Sequence, residues 1–106
     1  MPITIHLYYY GQGAKNFAEE MEERGIASRI RATEGNLSYR YFEPLDDPNL
    51  ILLIDQWEDQ SALDRHHASQ AIQEIMELRE KYDLRMEVHR FIPDPSGQDD
   101  RAFIRE

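Results

Sequence analysis

Two hydrophobic periods divide the chain. Residues 3–10, Ile-Thr-Ile-His-Leu-Tyr-Tyr-Tyr, are β-branched and aromatic and stop at Gly11-Gln12-Gly13, which predicts a strand and a turn. Residues 14–33 change to helical spacing, with Ala14, Phe17, Ala18, Met21, Gly25, Ser28 and Ala32 on one side. That stripe begins bulky and ends small, so its second half either approaches a neighbour closely or leaves a gap. Alternatively Gly25 marks a break, since glycine weakens a helix by about 1 kcal/mol against alanine. Ile26 and Ile30 lie off the stripe and call for a second apolar neighbour.

Glu34-Gly35-Asn36 closes this segment, with Gly35 suited to a left-handed cap. Residues 37–43 alternate as a strand, Leu37, Tyr39 and Tyr41 facing one way and Ser38, Arg40 and Phe42 the other. Pro44-Leu45-Asp46-Asp47-Pro48 is turn chemistry, and residues 50–57 form the next strand, so the two are expected to pair as a hairpin. Asp59 is a natural N-cap for a short helix over 60–68. Ser69 is a candidate cap for a second helix over 70–81, striped by Ala71, Ile75, Leu78 and Tyr82 and flanked by Ile72 and Met76. A last strand covers 85–91, after which Pro93 and Pro95 open a polar tail. The expected fold is α+β: a ferredoxin-like βαββαβ domain with an antiparallel sheet over residues 1–92, followed by a tail over 93–106.

The third strand adds an expectation about assembly. Leu50, Leu52 and Ile54 point to one face while Ile51, Leu53 and Trp57 point to the other. An antiparallel sheet with one wet face alternates apolar with polar, so a strand apolar on both sides needs cover on both. The helical segments cover one face. A second copy of the sheet is the simplest cover for the other, which predicts a homodimer paired through sheet faces. Ala102-Phe103-Ile104 in the tail lacks a local partner and is expected to dock on the other subunit as an arm.

Composition narrows the chemistry. The 106 residues have room for one domain with a modest core. There is no cysteine, which excludes disulfides, thiolate chemistry and cysteine-based metal sites. The formal net charge is −9, from 21 acidic and 12 basic residues, with acids gathered in 19–23 and around 94–100. Such a surface repels phosphate backbones and anionic lipid, so neither nucleic acid nor membrane is an expected partner. The N-terminus reads as a first strand, not a signal peptide, and a cytoplasmic location is the default. Gly11-Gln12-Gly13 lacks the third glycine of the dinucleotide fingerprint. The histidines form neither His-x-His nor His-x-x-x-His, and adjacent histidines chelate poorly, so no metal is expected.

The order of elements, with Glu34-Gly35-Asn36-Leu37-Ser38-Tyr39, Asp47-Pro48, Trp57-Glu58-Asp59 and His66, resembles the antibiotic biosynthesis monooxygenase superfamily. Within it the chain is most similar to the small quinol-monooxygenase-like proteins. The similarity covers roughly residues 3–91. It implies a dimeric α+β barrel with a pocket between helices and sheet. It also implies oxygenation without metal, flavin or other cofactor, because an electron-rich phenol itself reduces dioxygen. Relatives that degrade haem use an asparagine on the first strand, a tryptophan and a histidine. Here that strand has no asparagine, His66 takes the tryptophan's place and Met76 the histidine's, which argues against haem.

The candidate proton acceptor is His66, which matches the recurrent histidine of the superfamily; a histidine takes a phenolic proton and leaves the more oxidisable phenolate. His67 is a further candidate to contact the substrate, although it follows His66 about 100° round the helix and the two do not easily face one small ligand. Tyr39, Tyr41 and Trp57 are candidates to line an aromatic substrate, or are ordinary sheet packing. Tyr8 and Arg40 are candidates to contact it, Arg40 by steadying an anion or, alternatively, by pairing with a carboxylate. Two other classes stay open: a non-catalytic dimeric module that binds a small apolar ligand or a protein, and a small oxo-acid isomerase or decarboxylase on the same fold.

Overall fold

The computed structural model describes residues 1–105. Eight elements follow the expected order: β1 (Ile3–Tyr10), α1 (Ala14–Glu23), α2 (Ile26–Arg31), β2 (Asn36–Phe42), β3 (Leu50–Trp57), α3 (Gln60–His67), α4 (Gln70–Lys81) and β4 (Arg85–Phe91). The sheet runs β2-β3-β1-β4, antiparallel at every pairing, with helices over one face. This is the ferredoxin-like α+β arrangement.

The 14–33 segment resolves into two helices because Gly25 adopts the left-handed conformation, with φ 72°, and ends α1. The break re-aims the chain. Ala14, Phe17, Ala18 and Met21 of α1 are buried as expected, but after it Ile26, Ala27 and Ile30 turn to the core. Ser28 and Ala32, expected on the stripe, are exposed instead. The break therefore gives Ile26 and Ile30 the apolar neighbours their positions demanded.

β3 alternates between buried and half-buried along its whole length, with Ile51, Leu53, Asp55 and Trp57 inward. In β2 a register shift between Asn36 and Ser38 takes Leu37 out of the ladder. Leu37 is 55 % exposed and does not join Tyr39 and Tyr41 against the core. Tyr9 is the tyrosine of β1 that faces the helices, while Tyr8 and Tyr10 stack 6.4 Å apart on the opposite face. Beyond β4, Gly97 opens a 3-10 turn over Gln98–Phe103, and Phe103 and Ile104 are exposed. Among the described residues no helix is long and apolar enough to cross a membrane.

Candidate functional site

The site is built where α3 lies on the sheet. Asp59 caps α3 by accepting the Ala62 N–H at 2.9 Å. Helical spacing then turns Ala62, Leu63 and His66 to the core. At the other end, Ser69 occupies the N-cap position of α4 but makes no side-chain cap. Its hydroxyl instead donates to the His66 carbonyl at 2.6 Å, fixing the turn that follows the histidine. Gly35 sets how close α3 comes to the sheet: a Cβ there would stand 2.5 Å from the Ala62 Cβ.

His66 is only 5 % exposed. Its ring stacks on Trp57, with centroids 4.7 Å apart and planes at 24°, and meets Tyr39 edge-on at 6.5 Å. Trp57 Nε1 donates to Asp55 Oδ2 at 2.9 Å. The other carboxylate oxygen, Asp55 Oδ1, is buried without a hydrogen-bond partner among the described residues. Burial, then the neighbouring His67, lowers the His66 pKa to about 4, so the imidazole is neutral at pH 7. Burial also raises Asp55 to about 6, the bond from Trp57 opposing it. It raises Tyr39 and Tyr41 well above the ordinary range, and their hydroxyls stay protonated 3.3 Å apart.

Beside these groups lies a cavity of about 370 Å³ between the sheet and α3–α4. Tyr9, Tyr39, Leu63, Asp55 and His66 form its buried floor. Val88, 55 % exposed, and the exposed His67 and Arg90 mark its mouth, with half-buried Arg79 beside them. The register aligns one row across the sheet: Tyr39 opposite Asp55, Asp55 opposite Ile5, and Ile5 opposite Arg90. Among the described residues no three His, Asp or Glu side chains cluster as a metal site.

The structure brings together only part of the set expected from sequence. His66, His67 and Tyr39 line one cavity, His67 reaching it from the rim because the mouth lies beside α3. Trp57 is fully buried behind His66 and supports the ring without lining the cavity. Tyr41 packs edge-on against Tyr39 and Phe17 and borders a separate hollow. Tyr8 and Arg40 do not reach the cavity: pairing opposite Leu52 and Ile54, they belong to the other face of the sheet. There Tyr8 meets His89 edge-on, and the Arg40 guanidinium lies 5.4 Å from the Phe42 ring centre. Asp55, Arg79 and Arg90 are the site residues that sequence reasoning passed over. The signal for Asp55 was present, since it is the one acid in the row Ile51, Leu53, Asp55, Trp57.

The fold is an antiparallel ferredoxin-like sheet with a buried histidine beside a cavity between sheet and helices. The antibiotic biosynthesis monooxygenase family model matches residues 7–78, more than half of the chain, and the chain belongs to that family. Over 46 residues it is 30 % identical to YcnE of Bacillus subtilis (strain 168), a candidate monooxygenase by name. That stretch is 43 % of this chain and 48 % of YcnE, so the match spans about half the length of the curated relative. Among solved structures, SnoaB of Streptomyces nogalater, a cofactor-independent oxygenase, has a TM-score of 0.75 at 18 % identity, covering 90 % of this chain and 95 % of its own. PA3566 of Pseudomonas aeruginosa has a TM-score of 0.71 at 25 % identity, covering 88 % and 94 %. At 18 % identity the likeness to SnoaB shows the fold.

Proposed function

We propose that the chain is a monooxygenase that oxidises a quinol or related polyphenol with dioxygen in the cavity under His66, calling on no metal or bound cofactor. The observation that carries this reading is a buried, neutral imidazole stacked on an indole at the wall of an apolar cavity of about 370 Å³, room for a small aromatic molecule. For a simple quinol the reaction balances as quinol plus O2 giving hydroxyquinone plus water. One oxygen atom replaces a ring hydrogen and the other leaves as water. The substrate supplies all four electrons, two in forming the new C–O bond and two in passing from quinol to quinone. His66 accepts the phenolic proton. An imidazole lowered to about 4 is a weak base, but a phenol that is losing an electron becomes a strong acid. Proton and electron therefore leave together, the proton to the imidazole and the electron to dioxygen. Tyr39 shapes the wall and Trp57 holds the imidazole in place.

Assembly belongs to the same reading. Residues 1–92 form the folded unit, two copies pair through the sheet face opposite the helices, and residues 93–106 reach across as an arm.

The test is oxygen uptake by the pure protein against a panel of quinols and anthrones, with a chelator control and a blank for spontaneous oxidation. Uptake above the blank that resists chelator and falls at least tenfold in His66→Ala is the expected result. No uptake with any compound would set the oxygenase reading aside in favour of a binding module.

A further inference from the structure

The cavity carries a charge pattern that the rest of the molecule does not share. The chain is acidic overall, at −9, yet among the described residues lining the cavity Asp55 is the one acid. Against it stand the guanidiniums of Arg79 and Arg90. Neither arginine is neutralised by a carboxylate among the described residues: the Arg79 guanidinium meets the Met86 sulfur, and Arg90 donates to the neutral Gln60 carbonyl oxygen. Some other cations do meet carboxylates, as Arg29 meets Glu74, Arg31 meets Glu22 and Lys81 meets Glu20. Two guanidiniums beside a pocket, without a carboxylate partner among the described residues, have the donor geometry that suits an anion.

The floor presents the opposite demand. Asp55 is 3 % exposed and its Oδ1 has no donor among the described residues, whereas its Oδ2 is held by the Trp57 indole. A buried acceptor left open destabilises the fold, and a hydroxyl brought in by a ligand removes that penalty. Asp55 and Arg90 share one row of the sheet with Ile5 between them. Their backbones therefore stand two strand spacings apart, about 10 Å. A single aromatic ring with a hydroxyl on one side and an acidic group on another bridges such a gap. Inner side chains such as Leu53, Leu63 and Ile72 give its faces an apolar enclosure.

We propose that the ligand of this cavity is an anionic phenol, its hydroxyl donating to Asp55 Oδ1 and its carboxylate, sulfonate or phosphate held by Arg79 and Arg90. This deepens the oxygenase reading by naming the substrate class, and it rests on that reading only for the location of the site.

The experiment measures binding under nitrogen, so that no turnover intervenes. Trp57 is the only tryptophan of the chain and bonds directly to Asp55, so its fluorescence reports on the floor of the cavity. Three probes are titrated: hydroquinone, 2,5-dihydroxybenzoate and 2,5-dimethoxybenzoate. The expected order has 2,5-dihydroxybenzoate at least tenfold tighter than hydroquinone and at least tenfold tighter than its dimethyl ether. In Arg79→Gln/Arg90→Gln the advantage of the carboxylated phenol over hydroquinone should vanish. In Asp55→Asn the discrimination between hydroxyl and methyl ether should collapse, because the indole keeps the amide oxygen and an N–H2 donor then faces the cavity. Calorimetry on the double arginine variant, whose changed side chains sit at the mouth, gives a second reading independent of Trp57. Equal affinity for hydroquinone and 2,5-dihydroxybenzoate, persistence of the preference without the arginines, or no binding of 2,5-dihydroxybenzoate at millimolar concentration would each overturn the proposal. Preference for the anion without oxygen uptake would refute the oxygenase and leave the ligand class standing. Uptake with neutral quinols and no such preference would do the reverse.

Discussion

At the scale of single residues, Asp55 and His66 are displaced from their ordinary pKa values in ways that act oppositely on stability. His66 falls to about 4 from 6.5, so between those values the unfolded chain binds the extra proton and stability rises with pH. Asp55 climbs to about 6 from 3.8, so over that window the folded chain holds the extra proton and stability falls as pH rises. Each contribution is on the order of 3 kcal/mol across its window, and from pH 4 to 6 the two nearly cancel. Urea denaturation at half-unit steps separates them. Relative to wild type, Asp55→Asn should become progressively more stable as pH rises from 4 to 6, and His66→Gln progressively less stable over 4 to 6.5. Parallel profiles for all three proteins would mean that neither group is buried as described. Of this pair, His66 was legible in the sequence through its place after Trp57-Glu58-Asp59. Asp55 needed only the alternation that already grouped Leu53 with Trp57. Arg90 was not legible at all, because its place opposite Ile5 depends on a β1–β4 register that no local pattern encodes.

At the scale of elements, two glycines show how local geometry reaches the site. Both Gly25 and Gly35 have positive φ, at 72° and 88°. Around Gly25 a Cβ would meet nothing within 4 Å, so Gly25→Ala pays only for the left-handed backbone, about 1–2 kcal/mol. Gly35→Ala adds a collision with the Ala62 Cβ, which raises the cost to about 2–4 kcal/mol. The second change should also push α3 off the sheet. Ala62 lies one helical turn before His66 on the same face, so the stacking on Trp57 is disturbed and ligand response in Trp57 fluorescence should weaken. Gly25→Ala should leave that response intact at equal ligand concentration. Equal stability losses in the two variants would contradict the close approach of α3. The elements themselves were readable from periodicity and turn residues. What periodicity left open was the consequence of Gly25, since a continuous helix and a broken one share the same stripe as far as Met21 and differ only in where Ile26 and Ile30 then point.

At the scale of the whole molecule, the uncovered face of the sheet remains. Its centre is formed by Tyr8, Leu52 and Ile54, bordered by Phe42 and Phe91, the latter against the His6 ring at 4.7 Å. Glu87 and His89 lie beside it on β4, and in the proposed dimer the second copy covers the apolar centre. In a two-fold pairing each residue of the face is used twice, so one substitution disturbs two places in the dimer. Light scattering should give twice the 12.6 kDa chain mass for the wild type and a single chain for Leu52→Lys, which would bury two ammonium groups without partners. Leu52 is on the face away from the cavity, so Leu52→Lys should retain the cavity fold by circular dichroism. The arm is tested on the same instrument. Phe103, 90 % exposed, and Ile104 have apolar surface to place on a neighbour, and a chain ending at residue 92 should dimerise more weakly, by about a hundredfold in Kd if one large side chain on each of the two arms is buried. A wild type that scatters as a single chain at tens of micromolar would remove the dimer and the arm together. A dimer unchanged by the truncation would remove the arm alone, because the sheet face would then account for the whole association.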